Sequence, residues 1–190
     1  MLKFSRGIFH VFLFFLFTGI LLSSCATKKI LTDSSKSRGK EFKGNLKERY
    51  AALLDVSEHE IKNEKLYRFI DDWMGTPHIS GGMEKKGADC SGFTIILERE
   101  VFDKNLPRTA RQMAESVKRK FEEELQEGDL VFFDFNGQKF SHVGVYLKNN
   151  RFVHVSTSKG VIVSNLKDAW YYKYFSRCGS VKQNLAVSGL

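Results

Sequence analysis

Cys90 lies in Gly87-Ala88-Asp89-Cys90-Ser91-Gly92-Phe93, at the start of an apolar pattern with helical period. If Asp89 caps that helix, Cys90 falls in its first turn, where free N–H groups and the helix dipole favour a thiolate. A thiolate attacks carbonyl carbon, and the same N–H groups are placed to hold the oxyanion that the attack creates. A buried structural thiol is the alternative, but Asp89, Ser91 and Gly92 are polar or small company for one. Such a nucleophile needs a base. His142, in Ser141-His142-Val143-Gly144-Val145-Tyr146, and His154, in Phe152-Val153-His154-Val155-Ser156, each sit in a strand-like run.

The two histidines are 12 residues apart. Strand side chains alternate faces, so in a hairpin they share a face only if the connecting loop has an odd number of residues or a bulge intervenes. A loop of Lys148-Asn149-Asn150 sets them diagonal, and a loop centred on Lys148 sets them opposite. A two-residue Asn149-Asn150 turn separates them. In either same-face case the pattern reads as Cys90 nucleophile, His142 base and acid, and His154 orienting group.

The elements that would carry these residues follow from periodicity. Leu46, Tyr50, Leu53 and Leu54, then Leu66, Phe69, Ile70 and Trp73, predict a helix in two pieces over 46–74, broken near Asp55-Val56-Ser57 and ended by Gly75-Thr76-Pro77. A third helix is expected over 89–102 and a short polar fourth over 109–121. The period then changes. Strands are expected over 129–134, 141–147 and 151–156, with further ones over 160–163 and 178–181. Helices first and strands second argue for an α+β domain with an antiparallel sheet. Trp73 and Trp170 read as core, as does the Cys178 thiol, and Asp129 as a loop-fixing residue; a Cys90–Cys178 disulfide is conceivable in an oxidising compartment.

Five segments in order, namely Asp89-Cys90-Ser91-Gly92-Phe93, Leu106-Pro107-Arg108-Thr109, Glu127-Gly128-Asp129-Leu130-Val131-Phe132-Phe133, Ser141-His142-Val143-Gly144-Val145-Tyr146 and Phe152-Val153-His154, resemble the NlpC/p60 family of cell-wall endopeptidases. The resemblance covers about residues 63–183. It implies a papain-like fold, with N-terminal helices packed on a C-terminal antiparallel sheet, and a triad of Cys90, His142 and His154. It also implies hydrolysis of peptidoglycan stem peptides, typically between D-glutamate and a diamino acid, with no cofactor. One departure is that family members usually carry a tyrosine before the Gly-Gly that precedes the cysteine. Here Gly75-Thr76-Pro77 continues as His78-Ile79-Ser80-Gly81-Gly82. His78 or Ser80 is left to supply a polar group there, unless His78 is simply a loop residue. Asp89, Ser91, His78, Ser80 and Arg108 are the candidates for lining the cleft or the oxyanion site.

The N-terminus reads as an address. Lys3 and Arg6 precede an apolar run from Gly7 to Leu22, 16 residues long, short of the ~20 a spanning helix needs. Leu22-Ser23-Ser24-Cys25 resembles a bacterial lipobox, which implies a signal peptide over 1–24 and a lipidated Cys25, held on a membrane by its acyl chains. By that resemblance Ala26 points to the outer membrane, facing the periplasm. Residues 25–45 read as a flexible tether and 46–190 as the peptidase domain. The formal charge is +8, of which +2 lies in Lys3 and Arg6, +5 between Cys25 and Tyr50, and +1 beyond. A nucleic-acid-binding domain concentrates positive charge on its folded part, so that class of partner is excluded and a monomer acting on stem peptides is expected. Three other readings start from the same residues: a catalytically weak wall-binding lipoprotein, an acyltransferase using the same thiol, and a zinc site of Cys90, His142 and His154. No CxxC or HExxH spacing favours the zinc site.

Overall fold

A computed structural model describes residues 44–182. The expected signal peptide, Cys25 and most of the expected tether lie outside the described residues. The elements in chain order are α1 (Leu46–Leu54), α2 (Glu64–Trp73), β1 (Met83–Glu84), β2 (Gly87–Ala88), α3 (Cys90–Phe102), α4 (Ala110–Ser116), β3 (Lys118–Arg119), β4 (Leu130–Phe133), β5 (His142–Tyr146), β6 (Arg151–Ser156), β7 (Gly160–Asn165), α5 (Ala169–Tyr174) and β8 (Phe175–Ser180). Among the described residues no helix is long and apolar enough to cross a membrane.

Local chemistry sets the helix ends. Asn45, Asn63 and Asp89 accept hydrogen bonds from backbone N–H groups in the first turns of α1, α2 and α3, satisfying donors that a helix leaves unpaired. Thr109 and Gln112 form a capping box at α4. Asp55 and Asp103 end α1 and α3 in the left-handed region. The break near Asp55-Val56-Ser57 is present and is followed by a single 3-10 turn at Glu58–Glu60.

The strands form a six-stranded antiparallel sheet in the order β3-β8-β4-β5-β6-β7, and β1 and β2 make a separate small hairpin. Alternation gives the sheet two apolar faces. Leu130, Phe132, Val143, Val145, Val153 and Val155 pack against Phe93, Ile96 and Leu97 of α3 and against α2. On the other face Val131, Phe133 and Phe152 lie under Tyr171, Tyr174 and Phe175, from α5 and the start of β8. This is the papain-like α+β arrangement.

Three expectations need correction. The fourth helix stops at Ser116 rather than near Phe121, because Lys118 and Arg119 pair with Ser180 and Gly179 of β8, and Phe121 is exposed. Trp170 is 56 % exposed and belongs to α5, a short helix that the periodicity did not announce. Cys90 and Cys178 are both free thiols. Cys178 is buried, as expected, and its Sγ donates to the Lys120 carbonyl at 3.3 Å.

Among the described residues two buried ones are charged by type, and one of them, Asp129, accepts from Lys120 Nζ at 2.7 Å. Glu98 of α3 is fully buried, both its carboxylate oxygens lack hydrogen-bond partners, and Lys104 Nζ approaches only to 3.9 Å. Burial pushes its carboxyl up to about 8, so the folded protein holds a proton there that the unfolded chain releases near pH ~4.3. Stability is therefore full below that pH and declines as pH rises towards 8. Glu98→Gln should abolish this part of the slope and stabilise the protein at pH 8, as read from urea midpoints at pH 5 and pH 8. An unchanged difference between the two midpoints would count against it.

Candidate active site

Asp89 is the hub of the site. Its Oδ1 accepts from the Gly92 N–H at 2.6 Å and the Ser91 hydroxyl at 3.0 Å, and its Oδ2 from the Gly81 N–H at 2.9 Å. Arg108 forks onto it, with Nη2 at 2.8 Å from Oδ2 and Nη1 at 3.3 Å from Oδ1, and Nη1 also donates to Ser91 Oγ at 2.7 Å. Burial acts to raise this carboxyl, but Arg108, the Gly92 N–H and the Ser91 hydroxyl outweigh it and hold it below the usual range. One carboxylate thus starts α3, fixes the loop before β1 and anchors Arg108. Asp89 and Ser91, expected to line the cleft or act as cap, are turned inward into this cluster, while the Arg108 side chain is 41 % exposed.

That cluster holds Cys90 at the first position of α3, packed against the core that β5 lines. Burial pushes the thiol up. The Val143 N–H and the helix-terminal N–H groups of Ser91 and Cys90 act in the opposite sense, and the charge of Asp89 adds to the rise. The result differs from the expectation of a helix-favoured thiolate. Asp89 caps the helix as predicted, but desolvation and its own negative charge weigh against the dipole.

The β5–β6 hairpin has the three-residue loop. Leu147 N–H donates to the Arg151 carbonyl at 2.8 Å, leaving Lys148, Asn149 and Asn150 as the turn, with Asn149 and Asn150 at φ 46° and 57°. Asn149 Nδ2 donates to the carbonyls of Leu54 and Asp55, so the turn is tied to the end of α1. With Val145 opposite Val153 and Tyr146 opposite Phe152, His142 and His154 share a face on the diagonal. Their rings meet edge to face, with His142 Nε2 2.9 Å from His154 Nδ1. Gly144 lies between them on that face, and a Cβ there would sit 2.6 Å from the Phe152 ring and 3.2 Å from His154 Cβ.

Burial, and after it the charge of His78, lower His142 to about 4. His154 lies well below the ordinary histidine value, through burial and then the charge of His142. His78 is thus a neighbour of the site. Its chain is pinned beside Ala88, with Ala88 N–H donating to the Pro77 carbonyl at 3.0 Å and Ile79 N–H to the Ala88 carbonyl at 3.1 Å. Ser80 is exposed in the same loop.

Beside the two histidines is a cavity of 240 Å³ lined by Phe135, Asn136, His142, His154, Ser156, Thr157, Trp170 and Tyr171. Four of these, Ser156, Thr157, Trp170 and Tyr171, also border a 570 Å³ groove over the β6–β7 turn. Sequence reasoning missed Phe135, Trp170 and Tyr171 as site residues, since nothing in their spacing relates them to the histidines. Among the described residues no group of three or more His, Cys, Asp or Glu is placed to hold a metal ion.

The structure brings two strand-borne histidines into contact and sets a helix-terminal cysteine against the core that β5 lines, on a papain-like scaffold. The family model described as NlpC/P60 family matches residues 75–179. The chain belongs to the NlpC/P60 family. The probable endopeptidase NlpC of Escherichia coli is 46 % identical over 107 residues, 56 % of this chain and 70 % of that protein. The murein DD-endopeptidase MepS/murein LD-carboxypeptidase of Escherichia coli is 35 % identical over 175 residues, 85 % of this chain and 87 % of that protein. Among solved structures, a lipoprotein-like NLP/P60 family protein from Staphylococcus aureus matches at TM-score 0.56 and 27 % identity, over 65 % of this chain and 43 % of that one. An NlpC/P60 family protein from Bacillus cereus matches at TM-score 0.57 and 24 % identity, over 62 % of this chain and 39 % of that one, and shares the fold. This chain spans about two fifths of each of those two solved chains.

His78→Gln should raise the titration midpoint of His142 above its position near 4, because removing a nearby positive charge favours the imidazolium. Imidazole NMR titration of both proteins measures this, and an unmoved midpoint would place His78 out of electrostatic reach.

Proposed function

We propose that this family member is a cell-wall endopeptidase that cleaves peptidoglycan stem peptides with Cys90, His142 and His154. The observation that carries the reading is the 2.9 Å contact between His142 Nε2 and His154 Nδ1, beside a strand, β5, on which the helix that Cys90 opens is packed. His142 Nε2 is committed to His154, which leaves Nδ1 for the thiol.

With Cys90 raised and His142 lowered, the resting pair is a neutral thiol and a neutral imidazole. As substrate arrives, His142 Nδ1 takes the thiol proton while sulfur attacks the scissile carbonyl. The oxyanion falls at the N–H groups that open α3, with His78 beside them. His142 then gives the proton to the leaving amine, and water, activated by the same nitrogen, releases the acyl group. His154 accepts from His142 Nε2–H throughout and steadies the imidazolium. Asp89 and Arg108 hold the helix start that aims the sulfur, and Ser80 lies at the cleft rim. The cavity by Trp170 and the groove beyond it receive one side of the peptide.

The bond proposed is that between D-glutamate and the diamino acid, by family resemblance. A second reading is a D,D cross-link, favoured by MepS, the named murein DD-endopeptidase that matches 85 % of this chain. We further propose that residues 1–24 export the chain, that Cys25 is lipidated and that residues 25–45 tether residues 46–190 as a monomer to the envelope, at the periplasmic face of the outer membrane. The solved relative described as similar to a lipoprotein supports the anchor.

Purified peptidoglycan and isolated stem peptides, digested by the protein and by its Cys90→Ala variant and read by mass spectrometry, separate these readings. Products ending at D-glutamate are expected from the parent protein, with cleavage by the variant reduced on the order of 10³-fold or more. Cut cross-links without stem cleavage would select the second bond. Peptidoglycan retained by both proteins without any cleavage would make the chain a wall-binding module. Kinetics of the active protein should hold down to about pH 5, because His142 stays neutral until pH approaches about 4. A Cys25→Ala variant should lose both incorporation of labelled palmitate and membrane sedimentation, and full labelling without Cys25 would rule out that anchor.

A further inference from the structure

The polar chain that begins at His142 does not end at His154. His154 Nε2 lies 3.0 Å from Ser164 Oγ and 3.1 Å from Tyr171 Oη, and the Ser164 hydroxyl donates to Tyr171 Oη at 3.3 Å. These partners come from two further elements. Ser164 is on β7, diagonal to His154, which faces Ile162. Tyr171 is on α5, edge-on to both His154 and Phe152. His154 itself is 2 % exposed, so its ring nitrogens must find partners within the protein.

Proton counting gives this arrangement a direction. A neutral imidazole has one donor nitrogen and one acceptor. If His142 is to accept a proton at Nδ1, its own proton sits on Nε2 and points at His154 Nδ1. His154 Nδ1 is then an acceptor, and the His154 proton sits on Nε2. Ser164 commits its one hydroxyl proton to Tyr171, so towards His154 it offers lone pairs, at the shorter of the two distances, and in this arrangement the Tyr171 proton points away from His154 Nε2. The opposite tautomer would point His154 Nδ1–H at His142 Nε2. That would move the His142 proton to Nδ1, where it faces Cys90 and blocks base catalysis.

We propose that Ser164 and Tyr171 are positioning residues that hold His154 as the Nε2–H tautomer and so keep His142 Nδ1 free for Cys90. This rests on the triad reading above. The pair acts on the reacting atoms through two imidazoles in series. It also couples the catalytic histidines to the cavity, because the ring of Tyr171 is part of the wall that borders them.

The test uses the full chain and three variants, Ser164→Ala, Tyr171→Phe and the double variant, with Ser164→Thr as the conservative control. Two quantities are read: kcat and KM on the stem peptide, and the protonated nitrogen of His154 from long-range ¹H–¹⁵N correlation spectra. Each single variant leaves one oxygen in reach and should lower kcat by roughly fivefold, the worth of one hydrogen bond. The double variant should lose kcat on the order of 10–100-fold with KM unchanged, and its His154 signals should shift from Nε2–H to a mixture. Ser164→Thr should keep both at the parent level. Parent-level kcat in the double variant overturns the proposal. So does a fall in kcat without a tautomer change, and so does a parent protein with His154 protonated at Nδ1. If Cys90→Ala cleaves as fast as the parent, the triad reading fails instead, and the spectra still decide the tautomer.

Discussion

The turn Lys148-Asn149-Asn150 decides the parity of the β5–β6 hairpin, and with it whether His142 and His154 can meet. Two consecutive asparagines in the left-handed region are locally unfavourable for most residue types and acceptable for asparagine. The conformation is held from outside the hairpin, by the Asn149 amide on the last carbonyls of α1. A helix outside the proposed triad therefore supports the register of the strands that carry the two histidines. One residue more or fewer in that turn would move one histidine to the opposite face of the sheet.

A second constraint is desolvation. Cys90, His142 and His154 are all shifted towards their neutral forms, chiefly by burial. Charge at the site is instead concentrated in Asp89 and Arg108, which neutralise each other where α3 begins. This separates two tasks. A saturated ion pair fixes geometry, while the proposed mechanism leaves proton movement to the nearly uncharged thiol and imidazoles, where low polarity strengthens each hydrogen bond.

Much of this was legible in the amino-acid order. Apolar spacing announced α1 to α3 and β4 to β6 because each buries a regular stripe or alternate residues, and the 12-residue interval made a shared face for the histidines conditional on an odd turn, whose length the sequence left open. Other features had no local signal. Lys118 and Arg119 fit a polar helix as well as an edge strand, and their pairing with β8 depends on residues about 60 positions away. The six residues of α5 are mostly aromatic and too short to show a period, so Trp170 read as core. Ser164 and Tyr171 are ordinary strand and helix residues until β7 and α5 are folded over His154. Cys90 kept its predicted place but not its predicted electrostatics, because the number of atoms that bury a thiol cannot be read from its neighbours in sequence.

The exposed placement of Trp170 has an optical consequence. The chain contains two tryptophans. Trp73 is 5 % exposed, stacked with Phe69 and edge-on to Phe93, while Trp170 is 56 % exposed and packs on Phe135 and Tyr171 at the mouth of the histidine cavity. The protein thus carries one indole buried in the core and another in solvent contact at the cleft. Its intrinsic emission is the sum of a shielded component and a component open to collisional quenchers, and occupation of the cleft is reported by the second against the first, without any label and without turnover.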